Sequence, residues 1–231
     1  MTKQIITALL LVAGLAAFVT LGVWQLQRLA WKHGVLAEIE AQIAGEAVAL
    51  PADPDPEADR YLPVEIAGTM EPDELHVLVS SRDYGAGFRI IAPFETRDGR
   101  RIMVDRGFVL NETKDAERQI GEMGLEGNLH WPDERDGFTP EDDPEGNWWY
   151  ARDVEKMSDA LGTEPVLVIA RTETDPGIRV MPVTTEGIPN DHFEYAMTWF
   201  LMAVTWVGMT GFALWRIRRR NAGGTAPTRG V

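Results

Sequence analysis

The residues best suited to chemistry stand at the mouths of two apolar runs. In "PNDHFEYAMTWF", His192 is followed by Tyr195, Trp199 and then Trp206, at steps of three, four and seven residues. Helical periodicity puts them on one stripe. Leu21, Trp24, Arg28 and Trp31 form a second stripe near the other end of the chain. Imidazole coordinates iron, guanidinium pairs with carboxylates, and aromatic rings offer faces to a flat ligand. A porphyrin would use all of these, with His192 on the iron, Arg28 on the propionates, and Trp24, Tyr195 and Trp199 against the macrocycle. Anchoring of tryptophan and tyrosine at a bilayer interface is the simpler account of the aromatic residues. Both accounts stand at this point.

Other chemistries have little to work with. The chain has no cysteine, which removes disulfides, thiolate metal sites, iron–sulfur clusters and CxxC redox chemistry. His33, His76, His130 and His192 are scattered, without the HxxxH or HxH spacing that places two imidazoles on one metal. There is no GxSxG elbow and no phosphate-cradling glycine loop. The carboxylates of "PEDDPEG", Glu141 to Glu145, read as a solvated acidic loop, and the Trp148-Trp149-Tyr150 run as a strand end covering the core. No enzyme activity is expected.

The stripes need membrane helices to carry them. Residues 5–24 contain no charge over 20 positions, and residues 195–215 none over 21. At about 1.5 Å per residue each reaches roughly 30 Å, the thickness of the hydrocarbon core. A cleaved signal peptide has a shorter apolar region than the first run. Arg216, Arg218, Arg219 and Arg220 follow the second run directly, which holds residues 216–231 in the cytoplasm by the positive-inside tendency. Residues 1–4 then lie there too, and residues 25–194 form an extracytoplasmic domain. All 36 acidic residues but only 16 of the 22 basic ones fall between Gln25 and Glu194, so nucleic acid is not an expected partner. Arg28 and Lys32, positive charges on the outer side, call for local partners.

Within the middle domain, helical character continues after the first span through Leu29, Leu36, Ile39 and Ile43, and Leu50–Arg60 is an acidic, proline-rich connector. Period-two alternation then marks "YLPVEIAGTM", "ELHVLVSSR", "FRIIAPFET", "RRIMVDRGFV" and "MGLEGNLHW" as strands, with "PVLVIA" following later. Asp153 to Gly162 reads as a short helix with an aspartate cap and a glycine stop. The expected fold is a membrane protein with two transmembrane α-helices flanking an α+β, mainly antiparallel β domain.

"LGVWQLQRLAWK", "GAGFRIIAPFE", "VDRGFV" with its Asp-Arg-Gly turn, and "PNDHFEYAMTWF" resemble, in order and spacing, the surfeit locus protein 1 family. The likeness runs from Leu21 to Trp215. It implies a factor assisting assembly of cytochrome c oxidase, with oxidase subunit I and heme A synthase as partners and heme a as a transient cargo. The histidine before the second span, His192 here, is the implied iron ligand. Asp191 and Phe193 depart from the Asn and Leu frequent around that histidine in the family. The 18 arginines against 4 lysines suit a bacterium, so the expected location is a bacterial inner membrane with a periplasmic domain, or the mitochondrial inner membrane in a eukaryote. The alternative is a structural scaffold for subunit I that does not bind heme.

Overall fold

In the computed structural model, which describes residues 2–81, 84–186 and 188–223, strand alternation sets the layers of the β unit. In β2 (Pro63–Met70), Val64, Ile66 and Met70 are buried while Glu65 and Thr69 are exposed. The same phase holds for Ala92 and Phe94 of β4 (Gly85–Thr96), Ile102 and Val104 of β5 (Arg101–Leu110), Leu125 and Leu129 of β6 (Gly121–Leu129), and Val168 and Ala170 of β7 (Leu167–Ala170). These side chains form one core. The opposite phase gives a second core, in which Leu75 and Val77 of β3 (Leu75–Ser81), Ile91, Met103 and Leu167 meet Trp149 and α2 (Val154–Leu161).

The helix α2 is short and depends on its ends. The Asp153 side chain accepts a bond from the Lys156 amide, and Gly162 closes the helix at φ 65°, a conformation glycine adopts without a Cβ penalty. Val154, Met157 and Leu161 are buried on one face, each burial contributing about 1.5–3 kcal/mol.

The strand order is β1 (Val48–Ala49), β2, β6, β7, β5, β4, β3, with a further pairing of β2 to β4. That pairing closes β2, β6, β7, β5 and β4 into a barrel. The domain is mainly antiparallel, as expected, with β1–β2 and β5–β7 the parallel pairs among the described strands; the expectation is corrected in one respect, because the sheet closes on itself. Closure happens where β4 changes partner. Leu75 to Ser81 pair with the first part of β4, whereas Gly68 to Met70 of β2 pair with Thr96 to Phe94. A Cβ at Gly68 would stand 2.0 Å from the Glu95 carbonyl oxygen, so this approach needs a residue without a side chain.

The "VDRGFV" segment is a second departure. It lies inside β5 as a bulge and not as a turn, because Ile90 faces Gly107 while Ile91 faces Asp105, leaving Arg106 without an opposite number. Gly107 has φ 121°, and a Cβ there would meet the Arg179 carbonyl at 2.1 Å. The β unit as a compact body covers Glu38 to Glu186.

The other unit comprises residues up to Ala37 and from Gly187 onward. It contains most of α1 (Thr2–Ile43) and all of α3 (His192–Gly223). Residues 5–43 and 192–220 are each long and apolar enough to cross a membrane.

Candidate functional site

Small residues on α1 let the two helices approach. A Cβ at Gly14 would lie 2.8 Å from the Trp206 ring, and one at Gly22 would lie 2.7 Å from Phe200. On α3, Ala196 and Ala203 are buried in the same contact face. Phe18 stacks on Trp199 with ring centroids 6.1 Å apart and meets Trp206 edge-on at 5.9 Å. The Trp206 indole donates to the Leu11 carbonyl at 2.9 Å. This is close helix packing through small residues, locked by aromatic knobs.

At the His192 end the contact turns polar. His192 Nδ1 stands 2.8 Å from Gln25 Oε1; with the amide oxygen as acceptor the ring proton belongs on Nδ1, which leaves Nε2 as the unprotonated nitrogen. Lys32 donates to the Pro189 carbonyl just ahead of α3. Arg28 lies over the Trp31 ring at 4.5 Å.

The expected site residues are therefore divided. His192 is half-buried and oriented by Gln25. Trp24 and Tyr195 are exposed, and so is Arg28. Trp199 uses a ring face on Phe18. The stripe of Leu21, Trp24, Arg28 and Trp31 does not supply the α1 contact face, which is built from Leu11, Gly14, Phe18, Gly22 and Gln25. Gln25 escaped the sequence reading; its signal was an amide within "VWQLQ" at the edge of an uncharged run, a group that needs a partner at that depth.

Residues 12–204 match the SURF1 family. The chain belongs to that family. Surfeit locus protein 1 of Mus musculus is 34% identical over 203 residues, covering 78% of this chain and 66% of the mouse protein. The Homo sapiens protein of the same name is 33% identical over 204 residues, 78% of this chain and 68% of the human one. A SURF1-like protein of Monosiga brevicollis is 32% identical over 225 residues, 88% and 84% of the two chains. The chain thus spans just under two thirds of the mouse protein's length.

In this SURF1 family member the β unit holds a buried ionic cluster that sequence reasoning also missed. Arg89 of β4 donates from Nε to Asp105 Oδ2 at 2.6 Å and from Nη2 to the Met181 carbonyl at 2.7 Å. Arg152 reaches the same Asp105 oxygen at 3.2 Å through Nη1 and grips Glu134 with Nε and Nη2. Burial alone would raise the Glu134 carboxyl, but the Arg152 bonds override it and hold the group below its ordinary value. Arg106, placed by the bulge, bonds Thr174 and the Gln119 carbonyl, and burial lowers its pKa. Arginine and aspartate inside apolar strand runs were the available signal. Among the described residues no three His, Asp or Glu side chains gather as a metal site.

The acidic loop is not uniformly solvated. The Asp142 side chain is only 7% exposed, pairs with Arg135 and accepts from the Tyr150 amide at 3.0 Å. Trp149, in contrast, is buried in the second core as expected, bridging to Val77 of β3.

Proposed function

We propose that this chain assists assembly of cytochrome c oxidase, holding heme a for a limited time at His192 and passing it to oxidase subunit I. Family membership supports the oxidase role. The observation that carries the heme reading is the bond from His192 Nδ1 to Gln25. Metal-binding imidazoles are held in this way, with the second ring nitrogen donating to an orienting acceptor and the first left for the metal.

The donor set fits a heme. His192 Nε2 would bind the iron, the exposed guanidinium of Arg28 would take a propionate, and Trp24 and Tyr195 expose ring surface on the two helices. When bound, heme a supplies an iron that accepts a nitrogen ligand. One axial nitrogen from a half-buried side chain suits a carrier, which must release what it holds. The cargo would come from heme A synthase, and no turnover is required of the protein itself.

We further infer that α1 and α3 cross the membrane, with the β unit in the periplasm of a bacterium. Four arginines directly after residue 215 support that orientation. The scaffold reading has one observation in its favour: Trp199 and Trp206 are engaged in helix packing.

Heme a per protein decides between them, measured by pyridine hemochrome on the full chain purified from cells that make heme a. His192→Ala should lose most of the heme while the protein still inserts. Arg28→Ala should lose less, since one charge-assisted contact of about 1.5–3 kcal/mol goes with it. Trp24→Phe should lose least. Unchanged heme in His192→Ala removes the ligand assignment, and no heme a in the unaltered protein favours the scaffold.

A further inference from the structure

We propose that the β unit carries a separate binding site for a small monocarboxylate with an apolar body, in the cavity beside Arg89. The cavity has a volume of about 340 Å³, within the usual range for small-molecule sites. Arg89, Arg152 and His130 line it together with the apolar side chains of Ile169, Val180 and Val183. Arg89 is only 7% exposed and is fixed from two directions, by Asp105 on Nε and by Met181 on Nη2. Nη1 has no partner among the described residues and is not sealed in the core.

Asp105 is wholly buried and is not among the residues lining this cavity, and Glu134 borders a different cavity with Trp131 and Arg135, which Arg152 lines as well. The cavity is therefore lined by both arginines but by neither of the carboxylates that pair with them. His130 reports the resulting field: burial first, then Arg152, Arg60 and Arg89, push its pKa to about 4, against the opposing pull of Glu134. Exposed Glu186 stands among the lining residues as a negative group. It disfavours a dianion and leaves room for a monoanion, which is why a carboxylate fits better than a phosphate. Carboxylate oxygens match the guanidinium edge, and the carbon body matches Val180 and Val183.

The test uses the full chain in detergent micelles with isotope-labelled histidine, titrated with butyrate at constant ionic strength. The His130 resonance, assigned by its loss in His130→Gln, should shift saturably at about pH 7.5, where butyrate is ionised and inorganic phosphate is mainly the dianion. Val183→Trp fills the cavity without removing an ionic group and should weaken binding at least about tenfold. Glu186→Gln should tighten it severalfold. Inorganic phosphate should bind at least about tenfold more weakly than butyrate. A linear, unsaturable shift, or full binding by Val183→Trp, overturns the site; phosphate binding as tightly as butyrate overturns the ligand class.

Discussion

His192 and Gln25, 167 residues apart in sequence, share a 2.8 Å hydrogen bond between the first turn of α3 and the end of the uncharged run of α1. The bond selects one imidazole tautomer and fixes the ring plane. It also links the two helices at their polar end, where Lys32 adds a second link through the Pro189 carbonyl.

If Gln25 orients the iron ligand, Gln25→Ala should weaken heme a retention without abolishing it. Loss of an outer partner of a metal-binding histidine costs about 10–100-fold in affinity. Gln25→Glu, which keeps an acceptor in place, should retain most of it. The measurement is heme a remaining per protein after serial dilution. Equal retention by the alanine variant and the parent would show that the bond has no part in holding heme.

Barrel closure makes a prediction that does not involve heme. A methyl at Gly68 would collide with backbone of β4, 2.0 Å from the Glu95 oxygen, whereas one at Gly124 on the neighbouring strand β6 meets nothing closer than 3.8 Å. Backbone cannot swing aside as a side chain can. Gly68→Ala should therefore cost about 2–4 kcal/mol and Gly124→Ala less than about 0.5 kcal/mol. Denaturant midpoints for the two variants check it.

Local pattern made the elements legible, and pairing made the rest obscure. Alternation located β2 through β7, and Asp153 with Gly162 marked the ends of α2. Closure through Gly68 and the parallel neighbours β5 and β7 are contacts between residues far apart in sequence, which no local period encodes. Arg89 and Asp105 were hidden for a different reason. Charged residues in alternating strands ordinarily face water, and only the approach of Arg152 and the segment around Met181 covers them. On α1, a stripe read from its aromatic residues pointed to Trp24 and Trp31. The contact face is set partly by Gly14 and Gly22, residues that carry no apolar signal, and His192 was found because an imidazole next to an apolar run needs a partner.

The acidic loop should respond unevenly to neutralisation. Asp142→Asn removes the charge from a nearly buried pair with Arg135 and should cost about 1–3 kcal/mol. Glu141 is exposed, so Glu141→Gln should stay within about 0.5 kcal/mol. Urea unfolding of each single variant separates them; equal small effects would return the whole loop to the solvent.

His130 should make the β unit acid-sensitive. The imidazole stacks on Tyr61 with centroids 5.2 Å apart, and Nδ1 is buried without a partner. Burial and nearby arginines lower its pKa from 6.5 to about 4. A lowered folded value means that the unfolded chain binds the proton more readily. The neutral ring's contribution is therefore fully present above about pH 6.5, declines as pH falls toward 4, and levels off below that. At pH 5 the loss is at most about 2 kcal/mol, because the ring keeps some contact with solvent. Glu134, held below its ordinary value chiefly by Arg152 against the cost of burial, adds a loss only at lower pH, as its carboxyl protonates. Between pH 7 and pH 5 the histidine should therefore dominate. His130→Phe keeps a ring for Tyr61 to stack on and removes the proton site, so its stability should fall less over that interval than the parent's. Unfolding free energies of both proteins at pH 7, 6 and 5 test this, and parallel curves would show that His130 is not the group responsible.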